Sequence, residues 1–322
     1  MSGFSTQTNE HLIRSDLWSR QLKDFFEEST AAMKYVDFLT EFPDGDTFHI
    51  PSIGQSQVSD FEEGQAVRYT GMATGDWTFS ITEYKSAATY ITDKMKQDAF
   101  YTNQLVSSFV PKMNRALQVV METDVLNIGV AGQTASSLNS INGAPHRWVG
   151  HGTSDTIALQ DFALAEYALR MAHVPMTNLV AIVDPSVALT LATQTNLVNV
   201  SNNPMWHGII EEPIETGMKF VRNVYGFDVY TSTFLPTIAS ETIDGNTVTN
   251  GKANIFFSAA GGDTSPFKGA VRQAPRVESE RNKDLQRDEY VMTTRYGFGF
   301  YRPENFVTVI TDPAAALTQA VA

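Results

Sequence analysis

The segment that decides the fold is LQDFALAEYALRMAHVPMTNLVAIVDPSVALTL, residues 159–191. Apolar residues recur at three- and four-residue steps over 155–173, which predicts a helix, and Val174-Pro175 ends it. The unbroken aliphatic run that follows predicts a buried strand, and Pro185 suits the first turn of another helix. The middle of the chain is therefore predicted to be a helix–strand–helix unit.

One long helix is predicted before this unit. From about Lys94 to Asn127, apolar side chains recur at helical spacing, so this would be the longest helix of the protein. Pro111 lies inside the run and removes one backbone donor. We therefore expect a kink or two helices at that position.

A stretch rich in glycine, hydroxyl residues and aromatic residues precedes the long helix, from Gly54 to about Ile91. It predicts two extended arms, QAVRYTGM and DWTFSITEYKSA, joined near residues 72–75. The preceding TFHIPSI predicts a short strand that ends at Pro51. Because a long hairpin with so few aliphatic residues cannot bury much by itself, we expect it to project and to pack on another surface.

The N-terminus combines a polar arm with an aromatic helix. Residues 1–14 are polar and predict a flexible arm, whereas the sequence from Asp16 to about Leu39 predicts a helix. Its broad apolar face is bulky and calls for a partner surface, because it includes Trp18, Phe25 and Phe26.

From Gly208 onward the chain has β character, with a turn predicted at Asp244-Gly245-Asn246. The terminal PAAALTQAVA is interpreted as a small-residue tail. Charges of both signs alternate between Arg276 and Tyr290. This pattern fits a solvated strand–loop face or, alternatively, a strip of salt bridges between subunits.

Composition excludes several classes of function. The chain has 322 residues, no cysteine and a net charge of −13. Disulfides, thiolate nucleophiles and cysteine-based metal sites are therefore impossible. An acidic chain is also a poor sequence-independent nucleic-acid binder, because phosphate neutralisation needs lysine and arginine. The polar N-terminus has no secretory-signal pattern, so we expect a cytosolic product.

No motif predicts catalysis, a cofactor or a metal. The phosphate-binding loops and the nucleophile elbow are absent, and RYGFGFYR is best explained by glycines where another backbone comes close. His146 and His151 lie five residues apart without a third ligand. Asp44-Gly45-Asp46 and Asp244-Gly245-Asn246 read as turns, not calcium loops. We expect the protein not to be an enzyme.

The order of these elements resembles the major capsid proteins of tailed bacteriophages, which have the Hong Kong 97-type fold. The resemblance covers the whole chain and rests most on residues 159–191, VYGFDVYTSTFLP and RYGFGFYRPENFVTVITD. It implies an α+β fold with an N-terminal arm (1–46), an extended E-loop hairpin with flanking strands (47–93), a spine helix and the main part of a peripheral domain (94–208), and a β-rich axial domain with closing peripheral strands (209–322).

The resemblance also implies function and partners. Such proteins form hexamers and pentamers that enclose double-stranded DNA in an icosahedral shell, with a portal protein and sometimes a decoration protein. Because this chain starts close to its arm, a separate scaffolding protein is expected. Assembly would take place in the host cytoplasm, and the product would be the virion capsid. Lys85 lies near the base of the hairpin, so covalent cross-linking by such a lysine is not carried over.

The residues expected at contacts between subunits come from the projecting segments and from the charged strip. They are Trp18, Phe25, Phe26, Trp77, Phe79, Tyr84, Arg281 and Arg287.

Three alternatives remain open at the level of sequence. An encapsulin-like compartment shell would use the same fold. An α+β enzyme with a dispersed active site would instead have a deep pocket with perturbed titratable groups. A different virion component, of the tail or of the capsid surface, would form tubes, rings or trimers.

Overall fold

The computed structural model describes residues 32–40, 47–98 except 55, 57, 61, 67 and 68, then 102–193 and 219–321. Its α-helices are α1 (Asp93–Asp98), α2 (Thr102–Ala131), α3 (Leu159–Met171), α4 (Pro185–Thr193) and α5 (Pro313–Val321). Its strands are β1 (Val36–Phe38), β2 (Thr47–Ile53), β3 (Thr74–Ser80), β4 (Glu83–Thr92), β5 (Arg147–Val149), β6 (Leu179–Val183), β7 (Lys219–Val224), β8 (Phe227–Thr231), β9 (Thr237–Ile243), β10 (Asn246–Ser258), β11 (Phe267–Asn282), β12 (Arg287–Phe300) and β13 (Val307–Thr311).

The predicted helix–strand–helix unit is confirmed as α3, β6 and α4. Every residue of β6 is buried, because the strand pairs with β10 on one side and with β8 on the other. A strand with both edges paired and both faces covered needs apolar side chains at every position. At the start of α3, the Asp161 carboxylate accepts the Ala158 N–H at 2.7 Å, which satisfies one of the free donors of the first turn.

The larger sheet has the order β5-β13-β10-β6-β8-β7, and β9 pairs with β10. On one face, the ring of Phe162 in α3 packs edge-on against Phe256 at 5.2 Å between centroids. On the other face, Phe257 packs edge-on against Phe267 at 5.9 Å. The sheet is therefore the centre of two aromatic cores, one on each side.

The smaller sheet, β1-β11-β12-β4, carries α2 on one face. Met113 and Leu117 of α2 pack on Met292 of β12. Strand β11 is much longer than β1, which pairs only with Phe267–Gly269 in the part of the chain that the structure describes. The pairing of β11 with β12 shifts register on both sides of Gln273, and such irregularities bend a strand.

The projecting hairpin is built from other strands than expected. Strand β2 pairs antiparallel with β3, from Thr47 opposite Ser80 to Ile53 opposite Thr74, and it continues through Pro51. QAVRYTGM is not an arm in the described residues, and the second predicted arm is divided between β3 and β4. We call residues 47–80 the hairpin and residues 54–73 the hairpin loop.

The long helix is confirmed and runs as one element through Pro111 to Ala131. The predicted N-terminal helix does not reach Leu39, because Ala32–Tyr35 is a short 3-10 turn that leads into β1. Trp18, Phe25, Phe26 and the turn at residues 42–46 lie outside the described residues.

The C-terminal segment is not a tail but the helix α5. Alanine-rich sequence has a high helix propensity, and Pro313 occupies the first turn. The Asp312 carboxylate accepts the N–H of Ala314 at 2.8 Å, as an N-cap does. The Gln319 amide then donates to the carbonyl oxygen of Thr153 at 2.5 Å.

Strands from both sides of the expected boundary at 208/209 lie in the same sheet. Strand β6, from the unit 94–208, lies between β10 and β8 of the unit 209–322. Strands β11 and β12 of the later unit instead form a sheet with β4 and pack under α2. Strand pairing between distant parts of the chain, invisible to local patterns, thus decides which segments share a layer.

Candidate assembly surface

The base of the hairpin is fixed to the smaller sheet by Trp77. Its indole Nε1 donates to the carbonyl oxygen of Phe300 at 3.0 Å, and its ring meets Tyr301 edge-on at 5.0 Å. The ring also covers Gly299, where an added Cβ would lie 2.7 Å from the indole. Glycine at this position of β12 therefore makes room for the tryptophan.

Gly297, the other glycine of RYGFGFYR, makes room for the backbone that connects β3 to β4. A Cβ at Gly297 would lie 2.9 Å from the Cα of Ile81 and 2.9 Å from the carbonyl oxygen of Ser80. The chain thus passes from β3 to β4 directly over β12. The interpretation as a site of close backbone approach is confirmed for Gly297, whereas Gly299 is approached by the side chains of Trp77 and Phe79.

The aromatic residues of the hairpin have a core within their own chain. Phe79 is buried against Ala270 and stacks on Phe48 at 5.1 Å between ring centroids. The premise that Trp77 and Phe79 lack a local core is therefore wrong, since β11 and β12 supply it. Tyr84 differs, because its side chain is 64% exposed on the face of β4 that points away from α2.

The hairpin loop, by contrast, exposes its apolar side chains. Val58 is 96% exposed and Tyr69 is 93% exposed, Met72 is also exposed, and so is Ile53 at the end of β2 beside the loop. Isolated exposed apolar residues are ordinary, but several on one projecting loop indicate a surface that another molecule covers. This loop is the strongest candidate for an interface in the described part of the chain.

The charged strip has partners within the chain. Arg281 in β11 binds Asp93 at 2.7 Å and Asp288 at 3.4 Å. Arg287 binds Glu289 at 2.6 Å, and its guanidinium lies 4.5 Å from the ring centre of Tyr90. The alternating charges are therefore used, at least in part, along the β11–β12 hairpin itself.

Lys85 has a role inside the chain as well. Its ammonium group lies 2.6 Å from a carboxylate oxygen of Glu83, and this hydrogen bond raises its pKa. The neighbouring Ala87 packs under α2.

The two loop histidines are not a pair of ligands. His146 is fully buried and donates from Nδ1 to the carbonyl oxygen of Ala144 at 3.1 Å, and burial lowers its pKa. His151 instead binds the buried Asp161 carboxylate at 2.5 Å. Among the described residues, no group of three histidine or acidic side chains could hold a metal ion.

Sequence reasoning missed the buried carboxylates that hold the fold together. Glu122 in α2 accepts the backbone N–H of Ala32 with both oxygens, at 2.8 and 2.9 Å. Glu241 forms a buried ion pair with Arg147. Asp161 accepts the indole N–H of Trp148 at 3.0 Å. Only an acidic residue on an otherwise apolar helix face, as at Glu122 and Asp161, could have signalled them.

The described helices include none long and apolar enough to span a membrane. An open cavity of about 390 Å³ lies beside His173, Asp263, Arg302 and Glu304.

Solved structures with the same fold come from phages. A chain of Mycobacterium phage Che8 matches with a TM-score of 0.68 at 17% identity, covering 94% of this chain and 98% of that one. The capsid structure of cyanophage P-SCSP1u matches with a TM-score of 0.70 at 16% identity, covering 96% and 94%. The capsid of cyanophage Pam1 matches with a TM-score of 0.68 at 13% identity, covering 98% and 100%. The fold is therefore that of bacteriophage capsid structures, and the predicted α+β capsid fold is confirmed.

The family model described as phage capsid protein matches residues 77–309. This chain belongs to the phage capsid protein family, and it is a structural protein of the virion. A comparison with curated protein sequences gave no match.

Proposed function

We propose that this protein is the major capsid protein of a tailed double-stranded DNA bacteriophage. Copies would assemble as hexamers and pentamers into an icosahedral shell around the genome. Membership of the capsid family supports this proposal, and so does a hairpin that is fixed at its base and carries the exposed Val58 and Tyr69 in its loop. Its role would be structural, without catalysis or a cofactor.

The hairpin loop would provide the main contact with a neighbouring subunit. Val58 and Tyr69 are almost fully exposed in the single chain, and their burial on assembly would be favourable. Tyr84 would contribute from the adjoining strand. Trp77 and Phe79 would act indirectly, because they fix the direction in which the loop projects.

The remaining contacts are proposed from the sequence. Trp18, Phe25 and Phe26 would bury an aromatic face on another copy. Arg281 and Arg287 would take part only if the shell offers them acidic partners besides those they already have. We further propose that the smaller sheet with α2 forms the peripheral domain and that the larger sheet forms the axial domain.

Other partners follow from the same function. A separate scaffolding protein and a portal protein would direct assembly in the host cytoplasm, and a decoration protein could bind the finished shell. A net charge of −13 suits a shell that encloses DNA without gripping its phosphates.

The test is size-exclusion chromatography with negative-stain microscopy, on the protein alone and with a scaffolding protein. Closed shells are expected from the native chain, and Val58→Asp with Tyr69→Ser should stop at monomers or small rings. Tyr167→Ser, a change at another exposed tyrosine on α3, is the matched control and should leave assembly normal. Compact monomers of the native chain under both conditions would contradict the proposal.

A further inference from the structure

The ring of Tyr301 lies between the hairpin and a cluster of charges. It meets the indole of Trp77 edge-on, at 5.0 Å between centroids. The Lys268 ammonium lies 4.6 Å from the ring centre and the Arg302 guanidinium lies 4.9 Å from it, both within the range of a cation–π contact. The Tyr301 hydroxyl donates to Asp263 at 2.8 Å, so the ring is held at its edge as well.

The same lysine binds strand β1. Lys268 in β11 donates to the Asp37 carboxylate at 2.7 Å, and its side chain is almost fully buried. Asp37 and Lys268 are direct neighbours in the parallel pairing of β1 with β11. Because β1 has only three residues, its backbone bonds alone are few. This ion pair is therefore a substantial part of what holds β1 in place.

We propose that Tyr301 couples the position of the hairpin to the anchoring of β1. Movement of Trp77 removes its edge-on contact with the Tyr301 ring. Once displaced, the ring no longer lies over the Lys268 ammonium, so Lys268 is held less firmly beside Asp37. Release of β1 would act on the hairpin by the same path, since coupling between two elements is reciprocal. A contact made by the hairpin loop on another molecule would thus change how firmly β1 is held.

Two features make the coupling specific to this ring. Gly299 allows the indole to lie directly on β12, so Trp77 has little freedom to move without changing its contact with Tyr301. The backbone N–H of Tyr301 donates to the carbonyl oxygen of Pro266 at 2.8 Å, which ties the residue to the start of β11. A displacement of the ring is thereby transmitted to the strand that carries Lys268.

The test uses the full chain, unassembled and dilute, so that its outcome does not depend on shell formation. Amide hydrogen exchange would be measured for peptides that cover residues 36–39 and 47–53. Trp77→Leu should raise the exchange rate of the Leu39 amide, which bonds to Gly269, by about tenfold. Asp37→Asn should raise exchange in β2 by a similar factor. In a Tyr301→Leu background, Trp77→Leu should no longer change the exchange rate in β1, and Asp37→Asn should no longer change it in β2.

Glu166→Gln breaks an ion pair on α3 and is the matched control, with exchange in both peptides unchanged within twofold. If Trp77→Leu fails to fold, Trp77→Phe removes the indole donor while keeping an aromatic ring and should show the same pattern more weakly. The proposal is overturned if the Trp77 variants speed exchange in the hairpin while β1 stays as protected as in the native chain. It is equally overturned if the two effects remain additive in the Tyr301→Leu background.

Discussion

Tyr296 of β12 donates its hydroxyl hydrogen to the Asp124 carboxylate of α2 at 2.5 Å, and its ring is fully buried. Burial raises the pKa of Tyr296, and the hydrogen bond to Asp124 raises it further. The bond joins the long helix to the smaller sheet, with the tyrosine ring fully buried and the carboxylate half-buried. It adds a polar contact to the apolar packing of Met113 and Leu117 on Met292.

Tyr296→Phe should lower the free energy of unfolding by about 1–3 kcal/mol, because the half-buried Asp124 carboxylate loses a hydrogen bond. Urea unfolding followed by circular dichroism measures the change. Tyr290→Phe on the same strand is the control, since the Tyr290 ring packs on Phe109 and should keep that contact. Equal stability of the Tyr296→Phe variant and the native protein would contradict the prediction.

Gly299→Ala should displace Trp77 from β12, because the added methyl group would lie 2.7 Å from the indole ring. Overpacking of this kind costs about 1–3 kcal/mol. Faster hydrogen exchange in residues 74–80, accompanied by faster exchange in residues 36–39 through the contact of Trp77 with Tyr301, is the expected signature. Gly71→Ala has open space around the new methyl group and should leave exchange as it was. Similar exchange rates in the Gly299→Ala and Gly71→Ala variants would show that Gly299 is not needed to place Trp77 on β12.

Arg147→Met should destabilise the protein by about 3–5 kcal/mol, because it leaves the buried Glu241 carboxylate without its cation. Arg170→Met breaks an exposed pair with Glu166 on one helix and should cost no more than about 0.5 kcal/mol. Thermal unfolding of both variants under identical conditions makes the comparison. A small effect at Arg147 would mean that water or another group reaches Glu241.

The free energy of unfolding should fall as the pH drops below the ordinary pKa of histidine, because burial lowers the pKa of His146 in the folded protein. The unfolded chain then binds a proton that the folded chain does not, so folding weakens from about pH 6.5 downward. One such group contributes a slope of at most about 1.4 kcal/mol per pH unit.

Replacement of His146 by glutamine should flatten this dependence between pH 7.5 and 5.5. The measurement is the midpoint of urea unfolding at several pH values for both proteins. Parallel pH profiles would show that other groups are responsible.

Much of the fold could be predicted because its signals are local. The continuous aliphatic run of β6 and the helical spacing of α2 were visible in the sequence, and so was the close backbone approach at Gly297. The hairpin was predicted with the wrong strands, because TFHIPSI finds its partner more than twenty residues later across a loop without regular structure. α5 was missed because its alanines have helix propensity but few apolar side chains to mark a buried face.

The candidate surface was predicted less well, for a physical reason. An aromatic residue on a strand is equally suited to its own core and to a neighbour, and only the tertiary fold tells the two apart. Phe79 is buried on β11, whereas Tyr84, five residues later, is exposed. The ion pairs of Arg281 were likewise hidden, because Asp93 lies 188 residues away in the sequence.

The irregular pairing of β11 has a consequence for the subunit before it reaches a shell. Among the described residues, no strand pairs with β11 beyond Gly269 on the side of β1, and an unpaired strand edge can recruit further strands into fibres. The register shifts around Gln273, the imino ring of Pro275 and the charges that follow make this edge a poor template for such pairing. These features oppose fibre formation by the free subunit.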